Sequence, residues 1–216
     1  MASTEKFIQV NTCVAVDFPV EIDGVLQTKE LLSSLGSIYN NPPHLTLLLM
    51  PATEVVFEAM KSELHDYLGN LRQIKLRIID TVYEIERRFV QLQIEPSEVL
   101  SIHSDLLTIA TKYRKNELRQ KDIERIAAGR YSDVEVGLIE RYGFVYAGEN
   151  FNCHITIGDV PKEADIEDVL AQTKRLLANV VGHNYLAGKV NLLFHTDAAS
   201  QSEMKVLWKE TIALQG

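Results

Sequence analysis

Hydrophobic and polar residues follow two different periods along the chain, and the periods predict a mixture of strands and helices. Alternation, or short apolar runs rich in β-branched residues, predicts strands over 7–18, 44–50, 73–84, 89–94, 142–147, 152–158, 189–195 and 205–214. Apolar spacings of three and four predict helices over 26–39, 54–69 and 166–181, and a further helix that begins near Pro96. Because most neighbouring strands are expected to run antiparallel, this order of elements indicates an α+β fold.

Two of these strands share a motif, and they lie in different halves of the chain. His44 and Thr46 are separated by one aliphatic residue, and His154 and Thr156 repeat the arrangement. Side chains alternate between the faces of a strand, so each histidine shares a face with the threonine two positions later. Two such strands at one cleft would offer two imidazoles and two hydroxyls to a single ligand.

The segment 112–135 differs from the rest in composition, because lysine and arginine outnumber acidic residues there. It is either a solvated helical excursion with paired surface charges or a basic lid that meets an anionic substrate. We expect residues 1–216 to form a single bilobal domain that carries this basic helical excursion.

Composition and charge narrow the possible partners. The 216 residues are 46% hydrophobic, which suits one large domain or two fused lobes, and the net charge is −8. The acidic balance argues against a protein that coats long nucleic acid, whereas a nucleotide or a short RNA end needs only local positive potential. No apolar run approaches the roughly 18 residues of a membrane span, and no secretory signal is visible. We therefore expect a cytoplasmic protein, and we expect it to be a monomer.

The remaining cysteines and histidines give weaker signals. Cys13 and Cys153 form no CxxC pair and are predicted to be reduced core thiols. His65, His103 and His183 are predicted to be structural or surface residues. His195 is not part of a third copy of the motif, because the threonine follows it directly and would point to the opposite face of a strand. Neither motif has HExxH spacing, so no metal and no cofactor are expected.

Two histidines in one cleft can divide acid and base catalysis between them. The ordinary pKa of histidine, about 6.5, lets neutral and protonated imidazoles coexist near neutral pH. In phosphodiester chemistry one neutral imidazole removes a proton from the attacking group, and the other, as imidazolium, protonates the departing oxygen. Thr46 and Thr156 are candidates for donating hydrogen bonds to the phosphate oxygens.

Paired His-x-Thr-aliphatic strands in an α+β chain of this length resemble the two-histidine (2H) phosphoesterase superfamily, which includes 2′-5′ RNA ligase-like proteins and cyclic nucleotide phosphodiesterases. The resemblance rests on His44 with Thr46 and on His154 with Thr156. It implies a bilobal fold with a cleft between two mostly antiparallel sheets and helices outside. It also implies hydrolysis or transfer at a 2′,3′-cyclic phosphate or a 2′-5′ linkage. The second motif departs from the pattern, because Asp159 follows it closely and would weaken anion binding if it faced the cleft.

Aromatic residues near the motifs are candidates for stacking on a base at the cleft mouth. These are Tyr39, Tyr142, Phe144 and Tyr146, and the alternative is that they are core or sheet-surface residues. Two other functions stay open: RNA end-joining or 2′-5′ cleavage instead of opening a small cyclic phosphate, and a non-catalytic module that binds nucleotides or RNA ends.

Overall fold

The computed structural model describes residues 7–197 and 204–216, and ten strands lie within them. In chain order the strands are β1 Ile8–Val10, β2 Thr12–Pro19, β3 His44–Pro51, β4 Ile74–Glu84, β5 Phe89–Ile94, β6 Glu117–Arg119, β7 His154–Asp159, β8 Asn184–Ala187, β9 Lys189–Thr196 and β10 Val206–Ala213. Eight of them form one sheet in the order β10-β9-β2-β3-β7-β5-β4-β8, and every pairing in it is antiparallel.

The eight-stranded sheet consists of two four-stranded halves that meet at the two histidine strands. β3 and β7 are paired only at Leu45 and Ile155, whereas β2 pairs with β3 along seven positions. The two sheets expected from the sequence are thus joined edge to edge at a single residue pair. The prediction of an α+β fold with two lobes is confirmed.

Within the described ranges, six helices lie between the strands: α1 Asp23–Ser34, α2 Glu54–Gly69, α3 Ser97–Tyr113, α4 Gln120–Ala127, α5 Asp133–Tyr142 and α6 Ile166–Leu176. Thr53 caps the start of α2, since its hydroxyl accepts a hydrogen bond from the backbone N–H of Val56 at 3.3 Å. Among the described residues, no helix has both the length and the apolar character needed to cross a membrane.

The core fills the space between the sheet and the helices. Leu45 and Ile155, which join the two halves, are both completely buried, and so are the alternate positions Leu47 and Ile157. The aliphatic positions of both motifs therefore point into the core, which leaves the histidines and threonines on the opposite face. Cys13 and Cys153 are free and buried, as predicted.

The strand predicted over 142–147 is wrong. Helix α5 runs through Tyr142 and ends at Gly143, which has a φ of 80°. A Cβ at that position would lie 2.7 Å from Cδ of Pro51, so both the left-handed backbone and the close approach require glycine. The alternating apolar residues after Gly143 follow a turn instead, and Gly148–Asn150 form one turn of 3₁₀ helix.

The basic segment is more deeply integrated than either interpretation of its sequence suggested. It contains β6, which pairs in parallel with β1, and α4. Arg119 is 6% exposed and its Nε lies 2.6 Å from Oδ2 of Asp122, while Arg114 donates to the carbonyls of Glu117, Ile139 and Glu140. Arg114 therefore holds the segment to α5, and Arg119, whose Nη1 also lies 3.7 Å from Oδ1 of Asp197, holds it to the end of β9.

Candidate active site

The junction of β3 and β7 brings the two motifs together on one face of the sheet. Strands that run antiparallel place residues on either side of a bridged pair opposite one another, and the bridged pair is Leu45 with Ile155. His44 and Thr46 lie on either side of Leu45, and His154 and Thr156 lie on either side of Ile155. The four side chains therefore gather around one point of the sheet, and all four are partly exposed.

Each of the two imidazoles makes the same kind of hydrogen bond, from Nδ1 to the backbone carbonyl two residues earlier. Nδ1 of His44 lies 2.7 Å from the carbonyl oxygen of Pro42, and Nδ1 of His154 lies 2.8 Å from that of Asn152. A carbonyl oxygen can only accept, so each Nδ1 carries the proton. In the neutral ring Nε2 is then the basic atom, and it is the atom left for a ligand. The repeat in the sequence is thus also a repeat in geometry.

The electrostatic surroundings favour the neutral form of His154. Burial lowers its pKa below the ordinary value, and this effect outweighs the hydrogen bond to Asn152 and the nearby carboxylate of Glu84, which raise the pKa. A positive charge on His44, which lies on the paired strand β3, also lowers it. A neutral imidazole next to a second one is the arrangement that acid–base catalysis needs.

One carboxylate of the site was missed by the sequence analysis. Asp17 on β2 is paired with Thr46, is 9% exposed, and accepts a hydrogen bond from Nδ2 of Asn191 at 2.8 Å. Burial raises its pKa, while a charge on His44 and the bond from Asn191 lower it. The signal available in the sequence was a single acidic residue inside an otherwise apolar strand.

A cavity of about 420 Å³ opens beside the motifs, and Thr46 and His154 form part of its wall. The volume lies within the range of small-molecule sites. Apolar and aromatic residues supply most of the remaining wall, among them Leu49, Phe144 and Phe151. A molecule seated in the cavity would therefore reach the imidazole of His154.

Polar residues from the β4–β5 hairpin, also missed by the sequence analysis, line one side of this cavity. Nε of Arg87 lies 3.4 Å from Oε1 of Glu84, and Nε2 of Gln91 donates to Oε2 of the same carboxylate at 3.2 Å. Arg87 also donates through Nη2 to the hydroxyl of Tyr146 at 3.0 Å. No sequence motif marks these residues, because only the turn of the hairpin brings them to the site.

The predicted base-stacking residues have different surroundings. Tyr146 lines the cavity and is 40% exposed, so it remains a candidate, and Phe144 lies beside it with ring centroids 5.5 Å apart. Tyr39 is 5% exposed and packs edge-on against the half-buried ring of Phe89, so the prediction for Tyr39 is corrected. The prediction for Tyr142 is corrected as well.

Tyr142 lies outside the cavity that His154 lines. It borders a neighbouring groove between α3 and α5, and the guanidinium of Arg141 lies 4.9 Å from its ring centroid. Asp159, the acid that follows the second motif, turns to the segment before β3: it accepts hydrogen bonds from the hydroxyl of Ser37 at 2.6 Å and from the backbone N–H of Tyr39 at 2.8 Å.

His103 of α3 connects β3 to the segment before β7 and forms part of the cavity wall. It is 4% exposed, and its Nδ1 lies 2.7 Å from the carbonyl oxygen of Leu47, the residue after Thr46. Its Nε2 accepts a hydrogen bond from the backbone N–H of Gly148 at 3.0 Å. Its ring stacks on Phe151 at 3.9 Å between centroids. This confirms a structural histidine, and the contacts place it between β3 and the entry to β7.

Replacing His103 with phenylalanine is expected to lower the free energy of unfolding by about 1–3 kcal/mol, since it leaves the buried carbonyl of Leu47 and the partly buried N–H of Gly148 without this partner. Burial lowers the pKa of His103 in the folded protein, so the unfolded chain binds the proton more readily. The contribution of neutral His103 to the free energy of unfolding is therefore present above about pH 6.5 and is lost as the pH falls below that value. Urea titrations from pH 5 to 8 should show a weaker pH dependence for His103→Phe than for the wild type, and an equal dependence would contradict this role.

Comparisons with known proteins match this fold over nearly its whole length. The family model of the 2′-5′ RNA ligase superfamily matches residues 19–182. TT0787 of Thermus thermophilus is 14% identical with a TM-score of 0.57, and the match covers 94% of this chain and 98% of that one. LigT of E. coli in its apo form is 12% identical with a TM-score of 0.52, at 94% and 98% coverage. A structure described as a phosphoesterase is also 12% identical, with a TM-score of 0.53 and coverage of 96% and 100%.

A search of curated proteins finds no match. The structural likenesses, all of low identity, show the fold, and the family match spans most of the chain and includes both histidine strands. On this evidence the chain belongs to the 2′-5′ RNA ligase superfamily.

Proposed function

We propose that this protein is a metal-independent phosphoesterase that hydrolyses the 2′,3′-cyclic phosphate or 2′-5′ phosphodiester of a nucleotide or RNA end. Membership of the superfamily supports phosphoesterase-type chemistry. The observation that carries the proposal is the matched pair of imidazoles, each fixed through Nδ1 to a backbone carbonyl at 2.7 Å or 2.8 Å. A site that only binds a nucleotide has no need for two rings in the same tautomer.

In the proposed reaction His154 is the base and His44 is the acid. Neutral His154 takes a proton from water through Nε2 as the water oxygen attacks phosphorus. The bond from phosphorus to one ribose oxygen breaks, and protonated His44 gives its Nε2 proton to that oxygen. One water is consumed and a phosphate monoester with a free hydroxyl is formed. The lowered pKa of His154 supports this assignment.

Thr46 and Thr156 are proposed to donate hydrogen bonds to the non-bridging phosphate oxygens. Their positions on either side of the β3–β7 junction support this role, because each shares a face with a histidine. Negative charge accumulates on those oxygens as water adds, so donors placed there stabilise the transition state more than the ground state.

The rate is expected to depend on pH along a bell-shaped curve. The acidic limb reports the base: burial lowers the pKa of His154, so kcat/KM should fall only as the pH drops below about 6.5. The alkaline limb follows loss of the proton from the acid. Measurements of kcat/KM from pH 5 to 9 test this, and an acidic limb centred well above pH 6.5 would contradict the assignment of His154 as base.

The first experiment is turnover of the four nucleoside 2′,3′-cyclic monophosphates in EDTA. Within residues 7–197 and 204–216, no group of three or more His, Cys, Asp or Glu side chains is arranged to hold a metal ion. Ring opening in the presence of EDTA supports the mechanism, and a requirement for a metal ion would contradict it. Whether the product is the 2′- or the 3′-phosphate identifies the leaving oxygen.

Two alternatives are tested by the same purified protein. RNA end-joining predicts a product longer than the substrate from a 2′,3′-cyclic end and a free 5′-hydroxyl. If the protein is a non-catalytic module that binds nucleotides or RNA ends, binding without turnover is expected. LigT of E. coli has been solved in complex with ATP, which supports nucleotide binding for this fold and does not separate the alternatives.

A further inference from the structure

The cavity beside the motifs combines an aromatic wall with a few polar side chains. Its volume is about 420 Å³, and its aromatic wall includes Phe144, which is partly exposed. Aromatic rings bind any base through its flat face, so stacking alone does not select among bases. Selection requires polar groups at the edge of the base, and these come from the hairpin between β4 and β5.

Glu84 and Arg87 place an acceptor and a donor side by side in the wall of the cavity. Oε1 of Glu84 lies 3.4 Å from Nε of Arg87, and their side chains are 29% and 54% exposed. The pair is held in place, since Gln91 donates to the other carboxylate oxygen at 3.2 Å and Arg87 donates to Tyr146 at 3.0 Å. Among the described residues that line the cavity, Arg87 is the one permanent cation and Glu84 the one acid.

Guanine is the base whose edge complements this pair. Its N1–H and N2 amino group are adjacent donors that a carboxylate accepts together, and its O6 is an acceptor that a guanidinium reaches. Adenine presents an unprotonated N1 to the carboxylate, which is repulsive. Uracil and cytosine offer at most one donor at the corresponding position and stack less surface.

We infer that the cavity is a base-recognition site in which Glu84 and Arg87 select guanosine 2′,3′-cyclic phosphate over the adenosine compound. The inference deepens the proposed function and rests on it, because the cyclic phosphate must reach Thr46 and His154 while the base occupies the cavity that both residues line. Both a mononucleotide and the terminal nucleotide of an RNA carry this chemistry.

The test measures kcat/KM for the 2′,3′-cyclic phosphates of guanosine, inosine and adenosine. The wild type is expected to prefer guanosine to adenosine by roughly 5- to 150-fold, the discrimination of a bidentate base contact. Inosine keeps N1–H and O6 but lacks the amino group, and it should fall between them. Equal rates for guanosine and adenosine would overturn the inference while leaving the proposed function intact.

The decisive variant is Glu84→Gln, which keeps the size of the side chain and adds a donor. The amide can donate to N1 of adenine, so the guanosine-to-adenosine ratio should fall towards one. The matched control is Glu95→Gln, which alters an exposed Arg77–Glu95 pair at 3.6 Å outside the cavity. It should keep the wild-type ratio. If Glu84→Gln slows all substrates equally, the pair does not read the base and acts on the phosphate or on His154 instead.

Binding separates failure of this inference from failure of the proposed function. Calorimetry with 3′-GMP and 3′-AMP needs no turnover. If no cyclic phosphate is hydrolysed but 3′-GMP binds at least about 5-fold more tightly, the proposed reaction fails and base recognition stands. Equal affinities would overturn base recognition as well.

Short oligoribonucleotides that end in guanosine or adenosine 2′,3′-cyclic phosphate distinguish the two sources of the base. The same preference for guanosine in these substrates supports the inference for RNA ends, and a higher kcat/KM than for the mononucleotide then identifies the RNA end as the source. Loss of the preference in the oligonucleotides overturns the inference for RNA.

Discussion

Replacing either His44 or His154 with alanine is expected to lower kcat/KM for a 2′,3′-cyclic phosphate by about 10²- to 10⁴-fold, the usual effect of losing a positioned acid or base. The two losses should be similar, because the rings share the same fixed tautomer and lie on the paired strands β3 and β7. The double variant should lose much less than the product of the single losses, since acid and base act in one step.

The matched control for these variants is His183→Ala, which removes an exposed histidine outside the cavity wall. It should leave kcat/KM unchanged. Thr46→Ala and Thr156→Ala are expected to lose less than the histidine variants, roughly 10²-fold, as for one hydrogen-bond donor to a developing oxyanion. If His44→Ala and His154→Ala both retain full activity, the two-histidine mechanism is wrong.

The conformation of the motif strands could be predicted from the sequence because it depends on local rules. Alternation places His44 and Thr46 on one face, and the buried Leu45 on the other, without knowledge of the partner strand. The same reasoning holds for His154 and Thr156. That both strands meet at one residue pair is long-range information, and only their likeness pointed to it.

The surroundings of the motifs could not be predicted, because they depend on how distant segments fold together. Asp17 and Arg87 reach the site through sheet pairing and a hairpin, neither of which leaves a mark in the local pattern. Tyr39 looked suited to stacking and is buried against Phe89. The strand predicted near Tyr142 failed for a local reason: Gly143 ends a helix, and the alternation after it belongs to a turn.

A second large effect is expected for Arg119→Met, which should lower the free energy of unfolding by about 3–5 kcal/mol, because it leaves a buried carboxylate without its cation. Asp122 is 1% exposed and receives hydrogen bonds from Nε of Arg119 at 2.6 Å and from the hydroxyl of Tyr131 at 2.8 Å. Urea titration at pH 7 measures the loss. The matched control is Arg77→Met, which removes one half of an exposed ion pair and should cost at most about 1 kcal/mol.

The double variant Arg119→Met/Asp122→Leu separates the cost of an unpaired charge from the loss of packing. It removes both charges, so it should be more stable than Arg119→Met alone, and equal or lower stability would contradict the ion-pair explanation. The guanidinium of Arg119 also lies 5.2 Å from the ring centroid of Phe144, a residue of the cavity wall. Since this contact links the basic segment to the wall, the double variant should raise KM more than it lowers kcat. The basic segment would then support the substrate site through packing, without its cations meeting the substrate.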